Sequence, residues 1–281
     1  MTDRYVVFGN PVSHSKSPLI HAEFARQAGQ SIDYAAQLVP LDGFAAAVNA
    51  FRATAGRGAN VTVPFKEEAY RLADTLSARA TAAKAVNTLS FHEDGIDGDN
   101  TDGVGLVTDL QHNLDCEISG KRVLLVGAGG AARGVILPLL DAQPQQLVIA
   151  NRTAPKAHAL HEEFTQVLRD MGLPHAAALL ADCELSALAG QRFDIVINAT
   201  AASLTDQAPA LPPGIYATGS LAYDMVYGKG LTPFLLAAQA QGAAQLADGL
   251  GMLVEQAAES FFVWRGVRPQ TAPVLKLLRS Q

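Results

Sequence analysis

The sequence predicts an α/β protein built on two sheets, each mostly parallel, and three observations carry that reading. Short apolar runs alternate with helix-length stretches along most of the 281 residues, the βαβ rhythm that leads to a parallel sheet. Val123 to Val126 is continuously apolar, as a strand covered on both faces requires, and a glycine-rich turn follows at once. Polar residues gather at the carboxyl ends of N-terminal strands, where open α/β sheets receive ligands.

In chain order, Tyr5 to Phe8 reads as a strand closed by Gly9-Asn10-Pro11. A serine-rich loop follows, with Ser13, Ser15 and Ser17 around His14 and Lys16. Pro18 suits the first position of a helix running to about Ala28, and Ser17 suits its N-cap. One serine is enough for a cap. Three serines at the positive end of a helix dipole also suit a small carboxylate. Ile32 to Val39 is expected as a strand, Phe44 to Thr54 as a helix and Ala59 to Val63 as a buried strand. Alternation on that strand points Asn60 and Thr62 the same way, and Pro64 ends it just before Lys66. Taken alone, Lys66 is better explained as a surface lysine.

A single helix is expected over Glu67 to Ala83, then a strand Ala85 to Leu89 interrupted by Asn87, then a tight turn at Asp94-Gly95. Gly98 to Gly103 reads as a polar loop before the helix Val104 to Asn113. Asp102 can be that helix's N-cap and nothing more. Separate hydrophobic runs on either side of Gly103 to Gly120 mark two domains.

The second region opens on the strand at Val123 and the spacing Gly127-x-Gly129-x-x-Ala132. Gly127 permits a tight turn, Gly129 lets backbone approach a diphosphate, and Ala132 lets the helix Ala131 to Leu140 pack closely on the strand. The sequence at the end of the next strand, Gln146 to Ala150, is Asn151-Arg152-Thr153, with Lys156 one turn on. A carboxylate here would hold a ribose, whereas a guanidinium can pair with a 2′-phosphate, so NADP is expected over NAD. On the helix Pro155 to Met171, His158 and His161 stand at i and i+3 with Glu162 alongside. The spacing suits a metal pair, but no third ligand accompanies it; a solvated helix face is the preferred reading and no metal is expected. Strands are expected at Phe193 to Asn198, Leu221 to Asp224 and Gln245 to Ala247, with a helix Thr232 to Gln241 among them. The helix Met252 to Trp264, with Gln256 the odd polar residue, and a last helix over Pro273 to Leu278 complete the chain.

A formal charge of −6 gives no basic footprint for nucleic acid. No apolar run reaches the roughly 18–20 residues of a membrane span. Met1 to Arg4 leads straight into a strand without a leader, and Cys116 and Cys183 stand alone, so a reduced cytoplasmic setting is expected.

Taken together, these blocks resemble the shikimate dehydrogenase family nearly end to end. The resemblance rests on His14-Ser-Lys-Ser-Pro18, Asn60-Val-Thr-Val-Pro-Phe-Lys66, Ala85-Val-Asn-Thr88, Asn100-Thr-Asp-Gly103, the loop Gly127 to Ala131, Asn151-Arg-Thr153, Asp224-Met-Val-Tyr227 and Ala247-Asp-Gly-Leu-Gly-Met-Leu253. It implies a substrate-binding domain at 1–103 with 250–281 packed back on it, and a Rossmann-type NADP domain at 104–249. It also implies NADP-linked interconversion of shikimate and 3-dehydroshikimate in the route to aromatic amino acids. By resemblance, Ser15, Ser17 and Tyr227 meet the substrate carboxylate, and Thr62, Asn87, Asp102 and Gln256 meet ring hydroxyls. Lys66 is the implied catalytic lysine with Asp102 as its partner. Gly127, Ala128, Gly129, Gly130, Ala131, Asn151, Arg152, Thr153 and Lys156 are the implied nucleotide contacts, with Met225 and Gly249 near the nicotinamide. The chain departs from the family at Ala201-Ala202-Ser203, near the implied cofactor, and at Ala78, where some members carry an acid. A quinate/shikimate dehydrogenase using NAD and a non-catalytic NADPH-binding regulator are the rival readings; Arg152 opposes the first, and the lysine–aspartate pair opposes the second. A monomer or homodimer is expected.

Overall fold

A computed structural model describes residues 2–280. The chain divides into two compact units: unit 1 takes the chain up to Gly105 and again from Leu253, and unit 2 spans Leu106–Met252.

Unit 1 contains β1 (Asp3–Gly9), α1 (Ser17–Ala28), β2 (Ile32–Leu38), α2 (Phe44–Ala53), β3 (Gly56–Val61), α3 (Lys66–Leu72), β4 (Thr75–Leu76), α4 (Ala78–Ala83), β5 (Thr88–Phe91) and β6 (Ile96–Asp99), and the chain leaves it along α5 (Asp102–Thr108). Its sheet runs β2-β1-β3-β5-β6-β4. β1 is parallel to β2 and β3, whereas β5 is antiparallel to β3 and to β6 across the turn at Gly95. Phe8, Phe44, Phe65, Val86 and Leu89 form its core. Each such side chain contributes about 1.5–3 kcal/mol by leaving water.

Several expectations are corrected here. The single helix over 67–83 is two helices with β4 between them. Asp74 accepts a hydrogen bond from the Ile96 N–H at 2.8 Å, and the extended Ser77 caps α4 by accepting from the Ala80 N–H at 3.2 Å. An alanine-rich apolar pattern does not reveal that interruption. Ser17 lies inside α1 rather than capping it; its N–H donates to Ser15 Oγ at 3.3 Å. β3 stops at Val61, so strand alternation does not govern Thr62. The expected loop at Gly98 and Asp99 is the end of β6, and Asn87 stands just before β5.

Unit 2 contains β7 (Arg122–Val126), α6 (Gly130–Asp141), β8 (Gln146–Asn151), α7 (Ala154–Asp170), α8 (Pro174–Leu179), β9 (Leu180–Glu184), β10 (Phe193–Asn198), β11 (Tyr216–Asp224), α9 (Pro233–Ala240) and β12 (Gln245–Asp248). All six strands are parallel in the order β12-β11-β10-β7-β8-β9. That is the doubly wound order, with its switch point between β7 and β10, the crevice where such sheets take dinucleotides. Buried Ala157, Leu160, Phe164 and Leu168 form the helical stripe that lays α7 on the sheet. β9 has no counterpart in the sequence reading. Its Leu-Ala-Asp-Cys-Glu run is too polar to announce an edge strand. The helix expected to end at Asn113 loosens into a π turn over Asp109–Asn113, where Asp109 accepts from the Tyr223 hydroxyl at 2.7 Å.

The chain returns to unit 1 within α10 (Leu250–Arg265), and α11 (Ala272–Arg279) follows. The Trp264 indole donates to the Leu89 carbonyl at 3.0 Å and stacks on Tyr5 at 4.6 Å between centroids. Arg265 pairs with Asp3. These contacts fasten the C-terminal helices onto the first sheet.

Candidate functional site

In unit 1, residues from β3, β5, α5 and α10 converge on one polar cluster. Lys66, the first residue of α3, places Nζ 2.6 Å from Asp102 Oδ2. Asp102 spends its other oxygen on Asn87, whose Nδ2 donates to Oδ1 at 2.8 Å. The same amide donates to Thr101 Oγ1 at 3.0 Å and lies 3.4 Å from Gln256 Oε1, while its own oxygen accepts from the Thr101 N–H and the Thr88 hydroxyl. Beneath them, Asn60 donates to the Asn87 carbonyl and to Ser260 Oγ, both at 3.0 Å, and accepts from the Tyr34 hydroxyl at 2.7 Å. Asn60, Asn87, Thr88, Thr101 and Ser260 are all buried. Inside a low-dielectric interior such a network must be satisfied, and here its members satisfy one another.

The Lys66 side chain is 27% exposed and that of Asp102 is 11% exposed. The ammonium is thus pinned at one corner and open on another, as a proton-transferring group requires. Thr62 is half-buried with a hydroxyl free of protein partners among the described residues. Sequence reasoning passed over Ser260, Thr101 and the support from Asn60. The available signal for Ser260 was its i+4 relation to Gln256, which puts both polar groups on one face of an apolar helix. His21 lies below, fully buried and stacked on Tyr34 at 4.3 Å. Burial pushes its imidazole down to about 3, with Asn60 opposing weakly.

In unit 2, the loop after β7 is kept free of side chains. Gly127 has φ +123°, and a Cβ there would meet the Ala199 backbone at 3.1 Å, so glycine is required where the β7 and β10 loops approach. Gly129 and Gly130 face open space that side chains would otherwise fill, and Gly129 caps α6 without a side-chain bond. The first N–H groups of α6 have no partner within the helix, leaving donors at the positive end of its dipole. Ala132 is fully buried, as close packing of α6 on the sheet demands. Asn151 braces the next turn by donating to the Thr153 carbonyl at 3.1 Å. Arg152 and Lys156 are exposed and make no side-chain hydrogen bond or ion pair among the described residues. Free cations after the second strand, an uncapped helix and a side-chain-free loop fit a dinucleotide bearing a 2′-phosphate.

Further along this unit, the Met225 N–H donates to the Asn198 carbonyl at 3.0 Å, and a Cβ on Gly249 would lie 2.2 Å from the Met225 carbonyl oxygen. Those two positions touch, and only glycine fits the second. Tyr227 is half-buried; burial raises its hydroxyl pKa, and the Asp248 charge adds to this. Ser203, in the segment that departs from the family, donates to Asp224 at 2.6 Å, and Asp224 accepts from Asn198 at 3.0 Å. Elsewhere on unit 2, the expectation that His158 and His161 lack a third ligand is corrected: β9 brings Asp182 to them.

A doubly wound sheet with a glycine loop, joined in one chain to an α/β unit bearing a lysine–carboxylate pair, defines a dehydrogenase-type α/β protein. Residues 7–89 match the family described as "Shikimate dehydrogenase substrate binding domain", residues 109–206 "Shikimate / quinate 5-dehydrogenase", and residues 249–279 "Shikimate 5'-dehydrogenase C-terminal domain". The chain belongs to the shikimate dehydrogenase family. It is 62% identical to a "Shikimate dehydrogenase (NADP(+))" of Aromatoleum aromaticum over 279 residues, covering 99% of this chain and 98% of the relative. Among solved structures it resembles an Ael1 enzyme from Pseudomonas putida, with a TM-score of 0.90, 50% identity and coverage of 99% and 98%. It also resembles a shikimate 5-dehydrogenase from Thermus thermophilus in complex with NADP(H) and shikimate, with a TM-score of 0.85, 31% identity and coverage of 99% of both chains.

Proposed function

We propose that this chain catalyses the reversible reduction of 3-dehydroshikimate to shikimate with NADPH, in the pathway to aromatic amino acids. Unit 1 takes the cyclohexene substrate and unit 2 takes the nucleotide. Bound NADPH supplies the hydride. Lys66 gives a proton to the oxygen of the ring ketone, and in the oxidative direction the amine takes it back. Asp102 holds the ammonium in place, its Oδ2 lying 2.6 Å from Nζ. Thr62, Asn87, Asp102 and Gln256 hold the ring hydroxyls, and Ser15, Ser17 and Tyr227 receive the carboxylate. In unit 2, residues 127–131 cradle the diphosphate, and Asn151, Arg152, Thr153 and Lys156 hold the 2′-phosphorylated ribose. Met225 and Gly249 border the nicotinamide.

The observation that carries this reading is the Lys66–Asp102 pair embedded in a cluster of neutral hydrogen-bonding groups, the inventory a polyhydroxylated ring needs. The family match over nearly the whole chain supports it. Free Cys116 and Cys183 support a cytoplasmic setting, where the chain acts as a monomer or homodimer. The test is an assay of purified protein with shikimate plus NADP⁺ against quinate plus NAD⁺. NADPH formation in the first pair is expected; turnover confined to the second pair would overturn the assignment.

A further inference from the structure

On the outer edge of unit 2, α7 presents His158 and His161 one turn apart, and the edge strand β9 lays Asp182 against both. His158 Nδ1 is 3.4 Å from Asp182 Oδ2, and His161 Nδ1 is 2.7 Å from Asp182 Oδ1. Ligand atoms from the three side chains all fall within 4.8 Å of one another. Tetrahedral zinc, with bonds of about 2.0–2.2 Å, needs donors about 3.3 Å apart, so the set has only to draw together to hold the ion. The contact at His161 has a further peculiarity. Its Nδ1 is buried and, despite the nearby carboxylate, makes no hydrogen bond of acceptable direction. The two atoms are in close contact without a well-directed hydrogen bond between them, an arrangement a cation would satisfy.

We propose that His158, His161 and Asp182 form a site for one divalent transition metal of the zinc class, separate from the dehydrogenase chemistry. Two imidazoles and one carboxylate suit zinc, cobalt or nickel, and suit magnesium poorly because it demands oxygen ligands in an octahedron. One carboxylate against a dication leaves a net positive site with a coordination position open to water. Glu162 completes the arrangement from outside: its Oε1 lies 3.3 Å from His158 Nε2, the nitrogen that faces away from Asp182. A carboxylate on the far nitrogen fixes the tautomer and orientation of a metal-binding histidine. The metal would tie α7 to β9 at the corner that follows Asn151 and Arg152.

The test uses full-length protein freed of metal by chelation. Titration with Zn²⁺ by calorimetry is expected to show one equivalent per chain, and Co²⁺ to give visible absorption bands of low coordination number. Zn²⁺ should raise the thermal midpoint, because a ligand that binds only the folded state stabilises it; Mg²⁺ should not. Glu162→Gln should weaken binding about tenfold, and His158→Ala/His161→Ala by more than about 100-fold, with unchanged far-ultraviolet circular dichroism. Absence of a bound equivalent, equal affinity in the double variant, or an equal response to Mg²⁺ would each overturn the site.

Discussion

The polar cluster of unit 1 and the glycine loop of unit 2 are built on opposite plans. Around Lys66, side chains from distant segments hold one another before any ligand arrives: Asp102 grips Lys66 and Asn87, and Asn60 and Ser260 grip the layer below. Around Gly129, side chains are withheld, and backbone N–H groups and the free cations Arg152 and Lys156 await a partner. A closed network costs little reorganisation at the moment of reaction, which suits proton transfer and positioning. An open cradle suits a highly charged cosubstrate that must enter and leave in every cycle. Polar groups are held in place in one region and left open in the other.

The strongest challenge to that contrast is Lys66→Ala. Turnover should fall by about 10²–10⁴ while NADPH affinity stays near that of the parent, as loss of a general acid predicts. Near-full turnover would remove the lysine from its role. Asn87→Ala strikes the network itself: Asp102 and the Thr101 amide lose a partner, so stability should drop by about 1–3 kcal/mol in denaturant titrations, along with turnover. A variant as stable as the parent would mean the layer is not mutually supported. Arg152→Ala addresses the open region. It should raise the Michaelis constant for NADPH about 10–100-fold at unchanged stability, the equivalent of a charge-assisted bond of roughly 1.5–3 kcal/mol. An unchanged NADPH-to-NADH preference would contradict the 2′-phosphate assignment.

A further test concerns the floor of the closed region. His21 titrates at about 3 when folded, against an ordinary value of 6.5. Between those values the unfolded chain binds the extra proton, so stability is retained above pH 6.5 and lost on acidification towards 3. The loss is about 1.4 kcal/mol per pH unit once below 6.5. His21→Phe should flatten the slope of stability against pH in that window; an unaltered slope would show that other groups govern it.

Much of this arrangement is legible in the residues, and the gaps have physical causes. The strand from Val123 and the glycine spacing after it are local features, and the Rossmann order follows them closely. Asn60 and Asn87 stand out because they interrupt apolar runs, whereas Lys66 and Asp102 read locally as a surface lysine and an N-cap and are singled out by the family resemblance. The break at Asp74 was hidden because a carboxylate reaches across to the Ile96 amide, a contact no helical periodicity encodes. Ser260 joins Asn60 over a long sequence separation for the same reason. Asp182 escaped notice because β9 is a short mixed-polarity strand, and only pairing with β8 brings it to His161.

Unit 1 is assembled from both ends of the polypeptide, whereas unit 2 is continuous. Translation proceeds from the amino terminus, and domains fold as units as they emerge. The nucleotide sheet is therefore complete while Gln256, Ser260 and Trp264 are still unmade. A chain ending before Leu253 would lack Trp264, whose indole donates to the Leu89 carbonyl and stacks on Tyr5. The order of synthesis thus makes the surroundings of Lys66 the last part of the polar cluster to be made.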